Sequence, residues 1–175
     1  MRIHAVAATV PNALRLRPAR SSDLASLTEI VNHEIETSTA SWSETPRSQE
    51  YMAKWVVDRT GSGYPVFVAE QADEVIGVAG YTAFRNGDGY RFTVEHSVYV
   101  RPGHRRKGVA TGLVQRLIEQ AKADGLHRMV GGISADQEGS LGLHQKLGFQ
   151  EVGRLSQVGF KFERWLDLVF MVREL

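Results

Sequence analysis

The chain has no cysteine, which excludes a disulfide framework, a thiolate metal site and a cysteine nucleophile. A long apolar run is missing too: nothing approaches the roughly 20 residues that a membrane-spanning helix needs. No charge sign dominates, since 21 Lys+Arg against 20 Asp+Glu leave a formal net charge of +1. That balance gives no general pull toward nucleic acid or an anionic membrane surface, so any basic function is local. Proline is scarce, at 5 of 175 residues, and no repeat, low-complexity tract or Pro/Ser-rich linker divides the chain. His4, His33, His104 and His127 show no metal-ligand spacing, and no metal is predicted.

What is present, 42% hydrophobic and 23% charged residues, is the composition of an ordinary globular protein long enough to bury one core. Residues 1–13 carry a mildly apolar stretch interrupted by His4, Pro11 and Asn12, too weak for a secretory signal. They are expected to form a flexible extension before a single domain over 14–175. A cytoplasmic location fits this profile.

Residues 14–17 alternate like a short strand. Ser21, Ser22 and Asp23 offer N-caps for a helix whose apolar stripe is Leu24, Leu27, Ile30, Val31 and Ile35. Thr45-Pro46 is expected to open a second helix, with Met52, Trp55 and Val56 inward. Two strands over 65–70 and 75–84 flank a turn at Ala72-Asp73, and the Asn86-Gly87-Asp88-Gly89 turn leads to a strand over 91–100. The clearest helix spans 109–124, with Gly125 as its stop. A strand over 126–133, a short helix over 140–147 and two closing strands complete an α/β arrangement, a mixed sheet covered by helices.

The loop between the 91–100 strand and the 109–124 helix is the most informative segment. A Gly-containing turn at a helix start exposes unpaired backbone N–H groups in one concavity, and the helix dipole adds positive potential. A pyrophosphate would sit there. Gly108 permits close backbone approach, small Ala110 follows Val109 in an uncrowded first turn, and Arg105, Arg106 and Lys107 supply charge for phosphates. The bland alternative is a solvated basic turn.

The pattern Arg105-x-x-Gly108-x-Ala110, set between a strand and a long amphipathic helix and followed by Leu147-Gly148-Phe149, resembles the acetyl-CoA loop of the GNAT N-acetyltransferase superfamily. The stretches from Glu95 to Val100 and from Val158 to Asp167, with Thr39-Ala40-Ser41-Trp42 and Gly63-Tyr64-Pro65, resemble the phosphinothricin and methionine sulfoximine N-acetyltransferase subfamily. The resemblance implies a GNAT fold, α/β (α+β), whose mixed and mostly antiparallel sheet splays at the acetyl-CoA site. It also implies that main-chain groups of Val98 and Val100 hydrogen-bond the pantetheine arm, and that the protein is a homodimer. Relatives carry asparagine where this chain has Gln137, whose longer reach, beside Asp136 and Glu138, puts that cofactor contact in question.

An acceptor of this class carries an α-amine, a carboxylate and a second polar or anionic head. Arg85, Tyr90, Lys161 and Trp165 offer cationic groups and aromatic walls for it, with Arg85 preferred to Arg91 as the carboxylate partner. Trp42 either shapes the pocket or packs in the core, and Trp165-x-Asp167 is alternatively structural, its carboxylate pinning a loop. Transfer to an amine needs a base. Glu95 has that role by resemblance, against a salt-bridged strand carboxylate as alternative. His144 lies where many superfamily members have a thiolate-protonating tyrosine, and an imidazole there either donates a proton or orients the acetyl carbonyl. His96 points to the opposite face from Glu95. With neither cysteine nor a Gly-x-Ser-x-Gly elbow, direct transfer in a ternary complex is expected. Transfer to another amine (amino acid, polyamine or protein N-terminus) and a non-catalytic acetyl-CoA sensor remain as alternatives.

Overall fold

The computed structural model describes residues 13–175; the expected extension over 1–13 therefore falls outside the described residues except for exposed Ala13. The element order is β1 (Arg15–Pro18), a 3-10 turn (Ser21–Asp23), α1 (Leu24–Thr37), α2 (Gln49–Gly61), β2 (Val66–Gln71) and β3 (Glu74–Ala83). It continues with a second 3-10 turn (Asp88–Tyr90), β4 (Thr93–Val100), α3 (Val109–Ala123), β5 (Arg128–Ser134), α4 (Glu138–Lys146), β6 (Gln150–Lys161) and β7 (Arg164–Glu174). The strands form one seven-stranded sheet in the order β1-β2-β3-β4-β5-β7-β6. Every neighbouring pair is antiparallel except β4–β5.

Each face of the sheet buries its own apolar cluster. On one face α3 presents Val109, Leu113, Val114, Leu117, Ile118 and Ala121, at the spacing of one helical stripe, to Ile76, Ala79, Val94, Met129 and Met171. On the other, Leu27, Ile30, Val31 and Ile35 of α1 and Met52 of α2 cover Val66, Val68 and Val78. One local expectation changes. The second helix begins at Gln49 rather than at Thr45-Pro46, because Ser48 Oγ accepts from Tyr51 N (3.1 Å) and caps it. Residues 45–47 stay in a loop, tied down by Asn32 Oδ1 accepting from Arg47 N (2.7 Å). At α1 the Asp23 carboxylate accepts from Arg20 N (2.7 Å) and from the Arg17 guanidinium (2.7 and 2.9 Å), and the helix proper starts after it.

The feature that positions the site is a short ladder. β4 and β5 pair in parallel only through Thr93–Arg128, Val94–Met129 and Glu95–Val130. Beyond Glu95 the two strands part, each held on its other side by an antiparallel neighbour, β3 or β7. The backbone of β4 from His96 to Val100 therefore faces an open gap, its hydrogen-bonding edge unmatched by another strand among the described residues; Val100 O there accepts from Arg105 Nε (3.5 Å).

Candidate active site

A cleft of about 570 Å³ opens from this gap toward the start of α3. Val98, Val100, Arg105, Arg106, Gly108, Val109, Ala110 and Gln137 line it; Lys107, expected among them, does not. The first bond inside α3 runs from Gly112 N to Gly108 O (2.9 Å), so the N–H groups of Val109, Ala110 and Thr111 have no partner within the helix. Gly108 sits at φ +83°, where a side chain would be strained, and the space beside it is open. This set of free N–H donors, an unmatched strand edge and a basic loop fits a long ligand with amide and phosphate groups.

Arg105 forms an ion pair with Glu34, a buried carboxylate on the stripe of α1 that faces the cleft. Ser38 Oγ donates to the other oxygen of Glu34 (2.6 Å). The segment 38–41 is fastened repeatedly after this point. Lys161 Nζ donates to Ser38 O (2.7 Å) and Ser41 O (2.5 Å), and Thr39 Oγ1 donates to Asp136 Oδ1 (2.7 Å). Gln137 Nε2 donates to Thr39 Oγ1 (2.7 Å), and Asp136 also pairs with Arg164. Burial opposes the charge on Asp136, but the bonds from Thr39 and Arg164 outweigh it and hold its carboxyl below the ordinary range. Asp136 thus enters the cleft already paired.

Ala40, Val98, Tyr99, Gln137 and Ser140 also line a smaller pocket of about 100 Å³, at the point where β4 leaves β5. Alternation along β4 puts Val94, His96, Val98 and Val100 toward α3 and Glu95, Ser97 and Tyr99 toward α1 and α2. Glu95 is half-buried, and burial raises its pKa above the ordinary carboxylate value while the nearby Arg85 charge opposes the rise. On the opposite face His96 and His144 meet: their Nε2 atoms are 3.1 Å apart and the rings are within 9° of parallel. His144 Nδ1 lies 2.7 Å from Ser140 O. Burial holds both imidazoles below their usual pKa.

The Gly131-Gly132 pair in β5 makes room for both groups. A Cβ at Gly132 would stand 3.1 Å from Glu95 Oε1, and one at Gly131 would stand 3.3 Å from His96 Nε2 and 3.4 Å from the His144 ring. Two adjacent glycines inside a strand are the sequence signal of such close approach, and the sequence reading passed over them. It also passed over Glu34, whose signal was a charge on an apolar helical stripe.

The expected acceptor residues are distributed differently. Lys161, expected at the acceptor, is 2% exposed, and its ammonium is engaged by two backbone carbonyls that it fastens in the 38–41 segment. Arg85 is exposed and stacks over Phe84, donating only to Phe84 O (3.0 Å), and makes no ion pair among the described residues. Tyr90 packs edge-on against Phe84 with ring centroids 6.0 Å apart. Trp42 covers Gly159, and Trp165, 60% exposed, leans on Phe160. Asp167 takes its structural alternative, with Oδ1 accepting from Gln157 N (2.9 Å) in the β6 bulge.

Residues 27–149 match the model of the Acetyltransferase (GNAT) family. The chain belongs to the GNAT family. Among GNAT relatives, it is 44% identical over 162 residues to an L-amino acid N-acyltransferase, MnaT, of Escherichia coli, covering 93% of this chain and 94% of the relative. It is 46% identical over 157 residues to an L-methionine sulfoximine/L-methionine sulfone acetyltransferase of Pseudomonas aeruginosa, covering 89% and 91%. A GNAT phosphinothricin acetyltransferase from Sinorhizobium meliloti, solved in complex with AcCoA, superposes with a TM-score of 0.90 at 40% identity, covering 93% of this chain and 88% of that one. The expected GNAT fold and subfamily resemblance are therefore borne out, and the chain is an N-acetyltransferase by family and fold.

Proposed function

We propose that the protein moves the acetyl group of acetyl-CoA to the α-amine of a small L-amino acid with a neutral, polar side chain, of the methionine sulfoximine or sulfone kind. The observation that carries this reading is the position of Glu95, half-buried on the last paired rung before β4 and β5 part. A thioester supplies an activated acyl group, and what the protein adds is orientation and proton handling. Val98 and Val100 main-chain groups hold the amide arm, while the α3 N-terminus and Arg106 hold phosphates, with Arg105 joining them on leaving Glu34. Glu95 takes a proton from the ammonium. The freed amine bonds to the acetyl carbon, the C–S bond breaks, and the departing thiolate receives the remaining amine proton directly or through water. His144 borders the pocket wall where the sulfur would lie.

The preference for a neutral head follows from the available cations. Lys161 is held by Ser38 O and Ser41 O, and Arg164 by Asp136. Neither Arg85 nor Arg91 has an ion pair among the described residues; Arg91 lies over Phe92 and donates to Asp88 O. Of the two only Arg85 acts on Glu95 electrostatically, so one guanidinium beside the base is available for one α-carboxylate. Phosphinothricin brings a further anion and is the poorer acceptor on this reading. Acetylation of such an amino-acid analogue removes its ammonium charge and fits a detoxifying role in the cytoplasm, where acetyl-CoA is available. A homodimer is supported by the apolar row Val152, Leu155, Val158, Phe160 and Phe162, exposed along β6 at the sheet edge and the turn after it.

The test is acceptor-dependent thiol release from acetyl-CoA, with methionine sulfoximine, methionine sulfone, phosphinothricin, ordinary L-amino acids, polyamines and a peptide panel. Higher kcat/KM for the sulfoximine and sulfone than for phosphinothricin supports the reading. Release with polyamines or peptides alone overturns the acceptor class, and acetyl-CoA binding with silence throughout favours a sensor. Sedimentation at several concentrations decides the dimer.

A further inference from the structure

The His96–His144 contact has only one arrangement of protons when both rings are neutral. Ser140 O is a pure acceptor 2.7 Å from His144 Nδ1, so that nitrogen carries the hydrogen. His144 Nε2 is then a lone pair. His96 Nε2, 3.1 Å away, must donate to it. The near-parallel rings, 9° apart in plane, are offset: their Nε2 atoms approach to 3.1 Å while their centroids stay 5.0 Å apart, so the closest contact is nitrogen to nitrogen, as an N–H···N bond requires. His96 Nδ1 is left without a hydrogen, and it is a buried atom with no partner among the described residues. Phe149 packs edge-on against both rings, at 5.5 and 5.0 Å, and Gly131 lies beneath them.

We propose that His96 is a positioning residue for acetyl transfer, whose Nε2–H bond to His144 Nε2 locks His144 in the Nδ1–H tautomer and fixes its ring against the pocket wall. This rests on the acetyltransferase reading above and refines it. With its Nε2 filled, His144 has no N–H to offer a departing thiolate, so its contribution is orientation of the bound thioester. The thiolate takes its proton from the amine, which balances the transfer without an imidazolium.

The dyad is tested first without any reaction. Long-range 15N–1H correlation spectra of histidine-labelled protein at pH 7 are expected to show two neutral imidazoles of opposite tautomer, Nδ1–H for His144 and Nε2–H for His96, assigned by loss of a signal in His96→Phe. A His144 Nε2–H, or a doubly protonated ring in the pair, overturns the proposal. Kinetics with acetyl-CoA and methionine sulfone then separate positioning from packing. His96→Phe keeps the ring volume but lacks the donor, and its kcat is expected to fall about ten-fold, with KM for acetyl-CoA unchanged. His96→Gln places an amide N–H at similar reach and is expected to recover part of the loss. Wild-type kcat in His96→Phe, or equal loss in both variants, overturns the role of the N–H. Absence of thiol release from the wild type with every acceptor sinks the acetyltransferase reading instead, and leaves the spectra to decide the dyad.

Discussion

Gln137 Nε2 donates to Thr39 Oγ1 at 2.7 Å, and Thr39 passes its own hydrogen to Asp136 Oδ1 at the same distance. One buried hydroxyl thus joins the loop before α4 to the segment after α1, on the boundary between cleft and pocket. The longer reach of glutamine at this position has a use: it spans to Thr39. Replacing Thr39 by valine keeps the shape and removes both bonds. The expected result is a rise of about five-fold in KM for acetyl-CoA, equivalent to about 1 kcal/mol, with a smaller change in KM for the acceptor.

Lys161→Met is expected to lower stability by about 2 kcal/mol, because two carbonyls lose their donor in a buried setting. Chemical denaturation measures this directly. Its effect on kcat/KM should be the same factor for neutral and anionic acceptors. A loss confined to phosphinothricin would return Lys161 to the acceptor pocket.

Glu95→Gln should reduce kcat by on the order of a hundred-fold while acetyl-CoA still binds in calorimetry. The same variant should be more stable than wild type at neutral pH. Burial raises the Glu95 pKa above its ordinary 4.5, so the folded state holds this proton more tightly than the unfolded chain does. The stability that the proton contributes is present below the unfolded value and lost as pH rises through the folded one. The advantage of glutamine therefore disappears on acidification below 4.5.

The two buried histidines predict the opposite slope. Both are depressed by burial from the ordinary 6.5, so the stability they contribute is present above that value and lost as pH falls toward their folded values. His96→Phe removes one such group. Its denaturation free energy should fall less steeply on acidification than that of wild type, by up to about 1.4 kcal/mol per pH unit for one proton. Parallel curves would mean that His96 already carries a proton in the folded state.

Gly159→Ala probes Trp42. A Cβ there would lie 2.3 Å from Trp42 ring carbons, so the indole or the strand must move. The expected cost is about 1–3 kcal/mol. If Trp42 walls the acceptor site, KM for the acceptor rises while KM for acetyl-CoA holds. Unchanged acceptor kinetics with lowered stability would assign Trp42 to packing alone.

Much of the architecture was legible because its causes are local. The stripe of α3, the Ala72-Asp73 turn and the Gly108 loop at a helix start each lie within a few residues of sequence, where period and turn chemistry act. Opposite faces for Glu95 and His96 followed from strand alternation alone. The α2 start was misread for an equally local reason, since Ser48 competes with Thr45-Pro46 as a cap and the better-bonded serine prevails.

By itself, then, the sequence determined the family, the order of elements and the basic glycine loop at the start of α3, all of which depend on neighbours along the chain. Only the tertiary structure decided who partners whom in the site. Glu34 reaches Arg105, Lys161 reaches Ser38 and His96 reaches His144 across separations of 71, 123 and 48 residues. Those contacts depend on strand register and on where β4 and β5 part. Burying a polar side chain costs free energy that such a crossing offsets by supplying its partner, and no window along the chain contains both halves.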